Sequence, residues 1–418
     1  MRPGRITSRH ICAIALAGGL AVPAAPAAGD GWQAEPAVEE LSGSVALEGR
    51  LFPSPPQFDG QERHSASLVI EPEYYVAWDD DTSLTVSPFL RLDSADTERT
   101  HFDLRELYLH MVGDDWELGA GVGKVFWGRT ESVHLVDIVN QTDQIENIDL
   151  EDKLGQPMID LSLIRDWGYL DFFYLPYSRE RTFQGRHGRL RNALIVDRSL
   201  TRFESGVENW HPDVAVRYSN VFGDWDVGLY QFYGTSREPT LALGLTPGRA
   251  PVLVPTYELI YQTGADVQYT TGAWLWKLEA LYRNGQRDRI GVEHDYAAFA
   301  GGFEYTLFGV ADSDADIGLL AEYLRDSRLG KATNAFQNDL FLGARLTLND
   351  ADDTSVLAGV VRDLSNGSRL FSVEASRRLG TSLVLSLEAR LFSSVDAGDV
   401  LSDLRDDDLI QLELGYYF

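Results

Sequence analysis

The stretch LIQLELGYYF, residues 409–418, alternates between apolar and polar or small side chains. In an extended chain, successive side chains point to opposite faces. One face here would carry Ile410, Leu412, Leu414, Tyr416 and Phe418, and the other would carry Gln411, Glu413, Gly415 and Tyr417. The pattern predicts a strand that keeps one face in apolar surroundings and includes the last residue of the sequence.

The same alternation recurs along the chain in segments of about 9–11 residues, the length that a tilted strand needs to cross a membrane. A clear example is SLVLSLEARL, residues 382–391, where leucines alternate with Ser386, Glu388 and Arg390. A soluble β-sandwich also alternates, because its apolar faces pack on each other while its polar faces meet water. Alternation alone therefore leaves both architectures open.

The lengths of the connections favour a membrane barrel. Tight turns, as at 223–224 and 271–272, alternate with longer links, as at 94–100 and 284–294. Short turns on one side and longer loops on the other are typical of outer-membrane barrels. The predicted fold class is all-β, a transmembrane antiparallel up-and-down β-barrel of about 18 strands, with 16 as the alternative. The predicted strands are 43–52, 66–78, 83–93, 101–112, 116–126, 158–165, 167–176, 213–221, 225–234, 256–270, 273–283, 295–307, 315–325, 338–348, 354–363, 368–378, 381–392 and 408–418.

The N-terminal region has the pattern of a secretory signal peptide. Basic residues precede the apolar run ICAIALAGGLAV, and the small-residue pattern Ala25-Pro26-Ala27 follows it. We expect a signal peptide over 1–28, a short periplasmic segment over 29–41 and the barrel over 42–418. Cys12, the single cysteine, falls in the signal, so thiol and disulfide chemistry are not expected in the mature chain.

Composition excludes several partners and activities. Asp and Glu number 64 against 36 Lys and Arg, a net charge of −28, which argues against nucleic acid. The histidines are scattered, and no GxSxG or HExxH motif accompanies them. The sequence predicts no enzyme, no metal and no cofactor.

The segment VGKVFWGRTESVHLVDIVNQTD, residues 122–143, resembles a segment of porin-like, poorly characterised outer-membrane proteins of Gram-negative bacteria. The C-terminal strand ending in Phe418 likewise resembles the aromatic signal by which such proteins are recognised for membrane insertion. The resemblance implies a β-barrel in the bacterial outer membrane that meets the barrel-insertion machinery, and it indicates little about substrate.

The loop 127–157 contains this segment, and its apolar residues predict that it folds inward. A loop in the lumen of a porin sets a constriction whose charges select ions. The candidate constriction residues are Glu131, Asp137, Asn140, Asp143 and Glu146. Two alternatives stay open at this point: a lid over the mouth, and a turn-forming role for Asp137, Asn140 and Asp143.

Charged residues on the inferred inner faces predict a hydrated lumen. They are Arg91, Lys124, Arg217, Lys277, Glu279, Arg345, Glu374, Glu388 and Arg390. In HFDLRELYLHM, residues 101–111, neither alternating face is apolar throughout, so a β-bulge is expected to decide between Arg105 and Glu106.

An arginine-rich outer loop, 177–212, runs against the acidic composition. Arg186, Arg189 and Arg191 are candidates for contact with lipopolysaccharide phosphates or with an anionic solute.

The function predicted from these features is a porin-like channel for passive diffusion of small hydrophilic solutes, monomeric or homotrimeric, embedded in outer-membrane lipid. Two alternatives remain: an export outlet for an anionic polysaccharide, and a plugged barrel that serves as a surface receptor or structural protein.

Overall fold

The computed structural model describes residues 37–79 and 81–418, so the predicted signal peptide lies outside the described residues. Among these residues, no helix has the length and apolar character needed to cross a membrane. The strands of the main sheet are β1 (Val38–Leu51), β2 (His64–Ala77), β3 (Thr82–Asp93), β4 (His101–Val112), β5 (Trp116–Gly123), β6 (Gln156–Arg165), β7 (Gly168–Leu175), β9 (Asp213–Phe222), β10 (Trp225–Thr235), β13 (Leu259–Thr271), β14 (Trp274–Arg287), β15 (Glu293–Leu307), β16 (Asp316–Asp326), β17 (Asn338–Thr347), β18 (Ser355–Asp363), β19 (Arg369–Leu379), β20 (Leu383–Ser393) and β21 (Leu409–Tyr417). A second, three-stranded sheet contains β8 (Arg202–Phe203), β11 (Thr240–Leu245) and β12 (Pro251–Tyr257). Short 3-10 helices occupy Arg198–Leu200, Glu208–Trp210, Val310–Asp312, Leu329–Lys331 and Val400–Leu404.

The main sheet is a closed antiparallel barrel of 18 strands, which confirms the predicted fold class. Closure comes from β1, which pairs with β2 on one side and with β21 on the other. The amide of Phe418 donates to the carbonyl of Gly43 at 3.1 Å, and the amide of Gly43 donates to the carbonyl of Phe418 at the same distance. The terminal aromatic residue is thus held by the seam that removes the exposed edges of the sheet.

The outer face of the barrel is apolar. In β21, Ile410, Leu412, Leu414 and Tyr416 are 39–51% exposed, whereas Leu409 on the opposite face is 1% exposed. Exposed apolar side chains at every second position are what a lipid-facing strand requires. The alternation predicted from the sequence therefore places the apolar face outward.

The structure differs from the predicted strands at several ends, among them that of β14, which runs to Arg287 rather than to 283. β1 starts at Val38, within the segment predicted as periplasmic, and β5 ends at Gly123 rather than at 126. The three-stranded sheet was not predicted, because its residues lie in the links 177–212 and 235–255 and Pro251 and Pro255 make β12 an unfavourable strand sequence.

A β-bulge in β4 confirms the prediction made for this strand. Ser87 of β3 pairs with Glu106 and Pro88 pairs with Leu104, so Arg105 is the extra residue. The extra residue changes which positions face inward, because strand alternation restarts after it. Arg105 is buried in the lumen, and Tyr108 then faces inward below it.

The interior of the barrel contains a hydrophobic core in the half that carries the longer loops, which is the extracellular half in outer-membrane barrels. Residues 124–155, here called the lumen loop, contribute Val136, Ile138 and Val139, none of which is more than 2% exposed. They pack against wall residues Phe173, Tyr230, Phe232 and Ile260. The apolar residues of this loop thus pack against the inner wall of the barrel.

Candidate functional site: the lumen loop and a pocket at the barrel rim

Asn140 holds together the two ends of the lumen loop, which leaves the wall after Gly123 and returns at Gln156. Its side-chain amide donates to the carbonyls of Gly123 and Leu154, each at 2.9 Å. Its side-chain oxygen accepts from the amide of Val125 at 2.8 Å. Asn140 is 1% exposed and makes three hydrogen bonds to backbone groups. Hydrogen bonds of this kind are what the turn-forming alternative predicts for this residue.

The first part of the loop is held by carboxylates of the wall. Glu279 of β14 accepts from the backbone amides of Arg129 at 2.5 Å, Thr130 at 2.9 Å and Val136 at 3.2 Å. Glu322 of β16 accepts from the amides of residues 131 and 132 at 2.8 and 2.9 Å. Charged acceptors make the stronger class of hydrogen bond, and these acceptors bind loop backbone.

The later part of the loop is held the other way round, by wall arginines that bind loop carboxylates. Arg105 of β4 donates to Asp143 at 2.6 Å, and Arg91 of β3 donates to Glu146 at 2.5 Å. Arg91 also donates to the wall residue Glu48 at 3.0 Å. Burial alone would raise the pKa of Asp143, but the hydrogen bond from His101 and the Arg105 guanidinium hold that pKa well below its usual range.

These two sets of contacts between loop and wall lie on opposite sides of the barrel. β4 is the fourth strand of the ring and β16 is the thirteenth, so the ring of 18 places them diametrically opposite each other. Near a third point of the ring, Asn147 donates to Glu388 of β20 at 3.1 Å and Asp149 accepts from Arg390 at 2.7 Å. The lumen loop therefore crosses the whole lumen.

The predicted constriction residues all lie in this loop, but its acidic groups do not form a free acidic ring. Glu131 pairs with Arg345 at 2.7 Å and with Lys277 at 3.6 Å. Asp137 pairs with Lys153 at 3.1 Å, and Asp143 and Glu146 pair with wall arginines as described above. Opposite charges a few ångströms apart cancel at longer range, so these four carboxylates present little net negative charge to the lumen.

Most of the predicted lumen-lining residues contact the lumen loop or each other. Arg217 binds Asp266 at 2.7 Å, and Glu374 lies opposite Glu388 in the pairing of β19 with β20. The residues that the structure places on the inner wall are Arg91, Arg217, Lys277, Glu279, Arg345, Glu374, Glu388 and Arg390.

Lys124 is the exception. It follows Gly123, whose missing side chain would meet the inward ring of Tyr108, so Lys124 continues the outward alternation of β5. It is also exposed. The prediction that it lines the lumen is wrong because the chain turns into the lumen only after this residue.

The arginine-rich outer loop, which spans residues 176–212 in the structure, packs against the lumen loop. Thr182 donates to Asp143 at 2.6 Å, and Gln184 donates to the carbonyl of Gln144 at 2.8 Å. The lumen loop and the outer loop are therefore bonded to each other.

The three candidate arginines of the outer loop have different environments. Arg189 binds Asp407 at 2.6 Å, and its side chain is 1% exposed. Arg191 is 6% exposed and donates to the carbonyls of residues 192 and 193 at 2.8 and 3.2 Å. Arg186 is exposed. Arg189 thus fastens the outer loop to the loop that contains Asp407, whereas Arg191 binds carbonyls of its own loop. Of the three, only Arg186 is exposed enough to contact an external anion, and that contact stays a prediction.

A cavity of about 320 Å³ opens at the extracellular rim beside these loops, here called the rim pocket. This volume is at the lower end of the range for small-molecule sites. The residues that line it are Thr97, Glu98, Thr100, His101, Phe102, Asp103, Ile145, Leu154, Tyr177, Arg179, Glu180, Thr182, Phe183 and Arg198. Hydroxyl, carboxylate and guanidinium groups dominate this wall, and three aromatic rings accompany them. Sequence analysis did not single out this set, because it comes from three separate segments.

At the floor of the rim pocket, His101 approaches the two loop carboxylates. Its Nε2 lies 3.4 Å from Asp143 and 3.7 Å from Glu146. The three residues have the donor types of a metal site, with ligand atoms within 4.8 Å of one another. Both carboxylates already bind buried arginines, which would repel a cation, so the cluster is an ion-pair network.

Comparison with protein-family models and with curated protein sequences found no match. Solved structures do match. OccK3 (OpdO) of Pseudomonas aeruginosa is 11% identical, with 91% of this chain and 96% of that chain covered and a TM-score of 0.52. Wzi of Escherichia coli, described as an outer-membrane protein involved in group 1 capsule assembly and a carbohydrate-binding β-barrel, is 9% identical, with 90% and 84% covered and a TM-score of 0.51. At these identities the likeness concerns the fold alone. This chain has the fold of the bacterial outer-membrane β-barrels.

Proposed function

We propose that this protein is a bacterial outer-membrane barrel closed by its lumen loop, and that it acts as a surface receptor for a polar, saccharide-type ligand. The observation that carries the proposal is the attachment of the lumen loop to opposite walls, by Glu279 and Glu322 on one side and by Arg91 and Arg105 on the other. A loop held at both ends of a diameter cannot swing aside without breaking one set of contacts.

The energy of these contacts favours the closed state. Removing one partner from a buried ion pair costs about 3–5 kcal/mol, because the other charge remains buried. Each 1.4 kcal/mol corresponds to roughly a factor of ten in a population. An opening that breaks the pairs of both Asp143 and Glu146 would therefore be rare at rest.

The rim pocket supports the receptor part of the proposal. Its lining combines hydroxyls and charged groups with the rings of Phe102, Tyr177 and Phe183. Aromatic faces and convergent polar groups suit a ligand that has both apolar C–H faces and many hydroxyls. A barrel of the same fold, Wzi, is described as carbohydrate-binding, which makes saccharides the first ligand class to test.

The open porin, the polysaccharide export outlet, the homotrimer and the contacts with lipopolysaccharide and with the insertion machinery stay predictions from the sequence. On the periplasmic side of the lumen loop, the side chains of His110 and Glu117 are 36% and 41% exposed. We therefore expect water to enter this part of the lumen from the periplasm. A water-filled vestibule below a closed loop is compatible with a receptor.

Single-channel recording in a planar bilayer tests the proposal. The refolded native chain is expected to insert without steady conductance, because the lumen loop occupies the lumen. Correct insertion is established in the same sample by protection of the barrel from protease. Steady conductance from a protected, correctly folded barrel would refute the closed receptor and return the open porin to first place.

A further inference from the structure

The barrel wall has a gap in its extracellular half, next to β4. The pairing of β3 with β4 extends up to Arg91 and His101, but the pairing of β4 with β5 extends only up to Leu107 and Val122. β5 is short because the chain leaves the wall at Gly123 to form the lumen loop. Above this point, the edge of β4 over residues 101–105 has no strand of the ring beside it.

The returning end of the lumen loop covers only the lower part of this edge. Gly155 lies so close to β4 that an added Cβ would be 2.3 Å from the carbonyl oxygen of Leu104 and 2.5 Å from that of Arg105. Only glycine fits so near the backbone of the strand. Arg179 spans the upper part, since its guanidinium binds Asp103 at 2.7 Å and the carbonyl of Gly155 at 3.0 Å.

The rim pocket occupies the uncovered upper part of the edge. His101, Phe102 and Asp103 all line it, although neighbouring residues of a strand point to opposite faces. His101 faces the lumen loop, as its contact with Asp143 shows, whereas Phe102 is 68% exposed on the outer face. A cavity lined by residues of both faces reaches around the strand, and the edge of β4 that no ring strand covers gives it a path through the wall. The rim pocket therefore opens sideways through the wall.

The height of this opening matches the outer membrane interface. Phe102 is the second of the 12 residues of β4, counted from the extracellular end. About 9–11 residues of a tilted strand cross the hydrocarbon, so Phe102 lies where acyl chains give way to head groups. Its partner in β3 is Leu90, and the nearby Leu92 is 45% exposed, so the outer wall is apolar up to the opening.

We propose that the rim pocket seats the phosphorylated saccharide head group of an outer-leaflet glycolipid, which enters sideways from the membrane while its acyl chains stay against Phe102. This inference rests on the receptor function proposed above and names its ligand. Arg198, whose side chain is 45% exposed, and Arg179 supply guanidinium donors for phosphate. The exposed hydroxyl of Thr97 supplies a partner for the sugar, whereas the hydroxyls of Thr100 and Thr182 already donate to Asp93 and Asp143.

Retention of lipid A by the full chain tests the inference. The native protein, Thr97→Trp and Ala397→Trp are purified in detergent, mixed with lipid A and analysed by native mass spectrometry. Thr97 is exposed and lines the rim pocket, so an indole there fills the cavity, whereas Ala397 is exposed on a different loop. We expect one lipid A per native chain, the same for Ala397→Trp, and an affinity at least about tenfold lower for Thr97→Trp.

A second variant guards against misfolding. Arg198→Ser removes a mostly exposed guanidinium that lies 3.7 Å from Glu180, and it is expected to weaken lipid A binding without changing the protease protection of the barrel. Equal retention by the native chain and by both pocket variants would overturn the inference. The inference would also be overturned if the soluble phosphorylated oligosaccharide of lipid A competed as well as intact lipid A does. Entry from the membrane requires the acyl chains to contribute to binding. Either failure leaves the conductance of the native chain unchanged, so it is distinct from failure of the closed barrel.

Discussion

The two anchors of the lumen loop use opposite chemistry. On the wall formed by β14 and β16, Glu279 and Glu322 accept hydrogen bonds mainly from loop backbone, together with the hydroxyls of Thr130 and Ser132, and Glu279 also lies 3.8 Å from the ring of His134. On the wall formed by β3 and β4, arginines bind the side chains of Asp143 and Glu146. We call these the carboxylate anchor and the arginine anchor.

The difference matters because the carboxylate anchor does not depend on most loop side chains. Backbone amides are present whatever the loop sequence is, so substitutions in residues 129–132 leave most of these hydrogen bonds in place. The arginine anchor depends on two specific loop carboxylates. The carboxylate anchor is therefore best tested by substitutions in the wall, and the arginine anchor is best tested by substitutions in the loop.

Loss of the Glu279 carboxylate is expected to have the largest effect. Glu279→Ala leaves the amides of Arg129, Thr130 and Val136 without an acceptor, and a buried donor without a partner costs about 1–3 kcal/mol. The closed state should lose on the order of 4 kcal/mol. Frequent conductance steps in a planar bilayer, absent from the native chain, would report the release of the loop.

Arg345→Ser is the matched control for this change. Its guanidinium also binds the loop, at Glu131, but it is 37% exposed, and exposed pairs contribute about 0–1 kcal/mol. This variant should stay silent. If Glu279→Ala were silent as well, the loop would not depend on the carboxylate anchor.

Breaking the arginine anchor is expected to have an intermediate effect. Asp143→Ala removes one partner of the buried Arg105, which still binds Asp103 at 3.0 Å. The cost is about 2–3 kcal/mol, below that of a fully unpaired charge. Because Glu146 still binds Arg91, the open fraction in bilayer recordings should be lower than for Glu279→Ala. An open fraction higher than that of Glu279→Ala would reverse the ranking of the two anchors.

The fold was predictable because the sequence of each barrel strand shows the alternating pattern by itself. Alternation and loop length are local patterns, and lipid on one side with loops and water on the other enforces them at every strand. Even the bulge at Arg105 could be anticipated, since HFDLRELYLHM fits neither face. The three-stranded sheet could not, because its strands are short, β12 contains prolines, and β8 is only 2 residues long.

The site was predictable in part. The acidic and apolar content of the lumen loop indicated that it folds inward, and Asn140 was a candidate for a turn. The sequence could not show that wall and loop charges neutralise each other, because Asp143 and Arg105 are 38 positions apart. The pairing of Glu48 with Arg91 and Arg99 was missed for the same reason, although its inward position in β1 follows from alternation.

The smallest effect expected is a pH dependence that each anchor owes to a histidine of its own, His134 at the carboxylate anchor and His101 at the arginine anchor. The ring of His134 lies 3.8 Å from Glu279. Burial alone would lower the pKa of His134, but the Glu279 carboxylate raises it above its ordinary value of 6.5. Because the folded pKa is the higher one, the stabilisation is fully present below about 6.5 and is lost as pH rises through the folded pKa.

Amide hydrogen exchange, corrected for its intrinsic pH dependence, measures the pH dependence of protection at both anchors in one experiment. Protection of residues 129–136 should fall as pH rises above neutrality. Protection of residues 143–146 should fall over the same range, because the imidazole of His101 lies 3.4 Å from Asp143 and 3.7 Å from Glu146 and loses its charge there. His134→Gln should remove the pH dependence of the first segment while leaving the second unchanged. Loss of the pH dependence at both segments in His134→Gln would mean that the lumen loop opens as one unit, and that the two anchors are coupled despite their different chemistry.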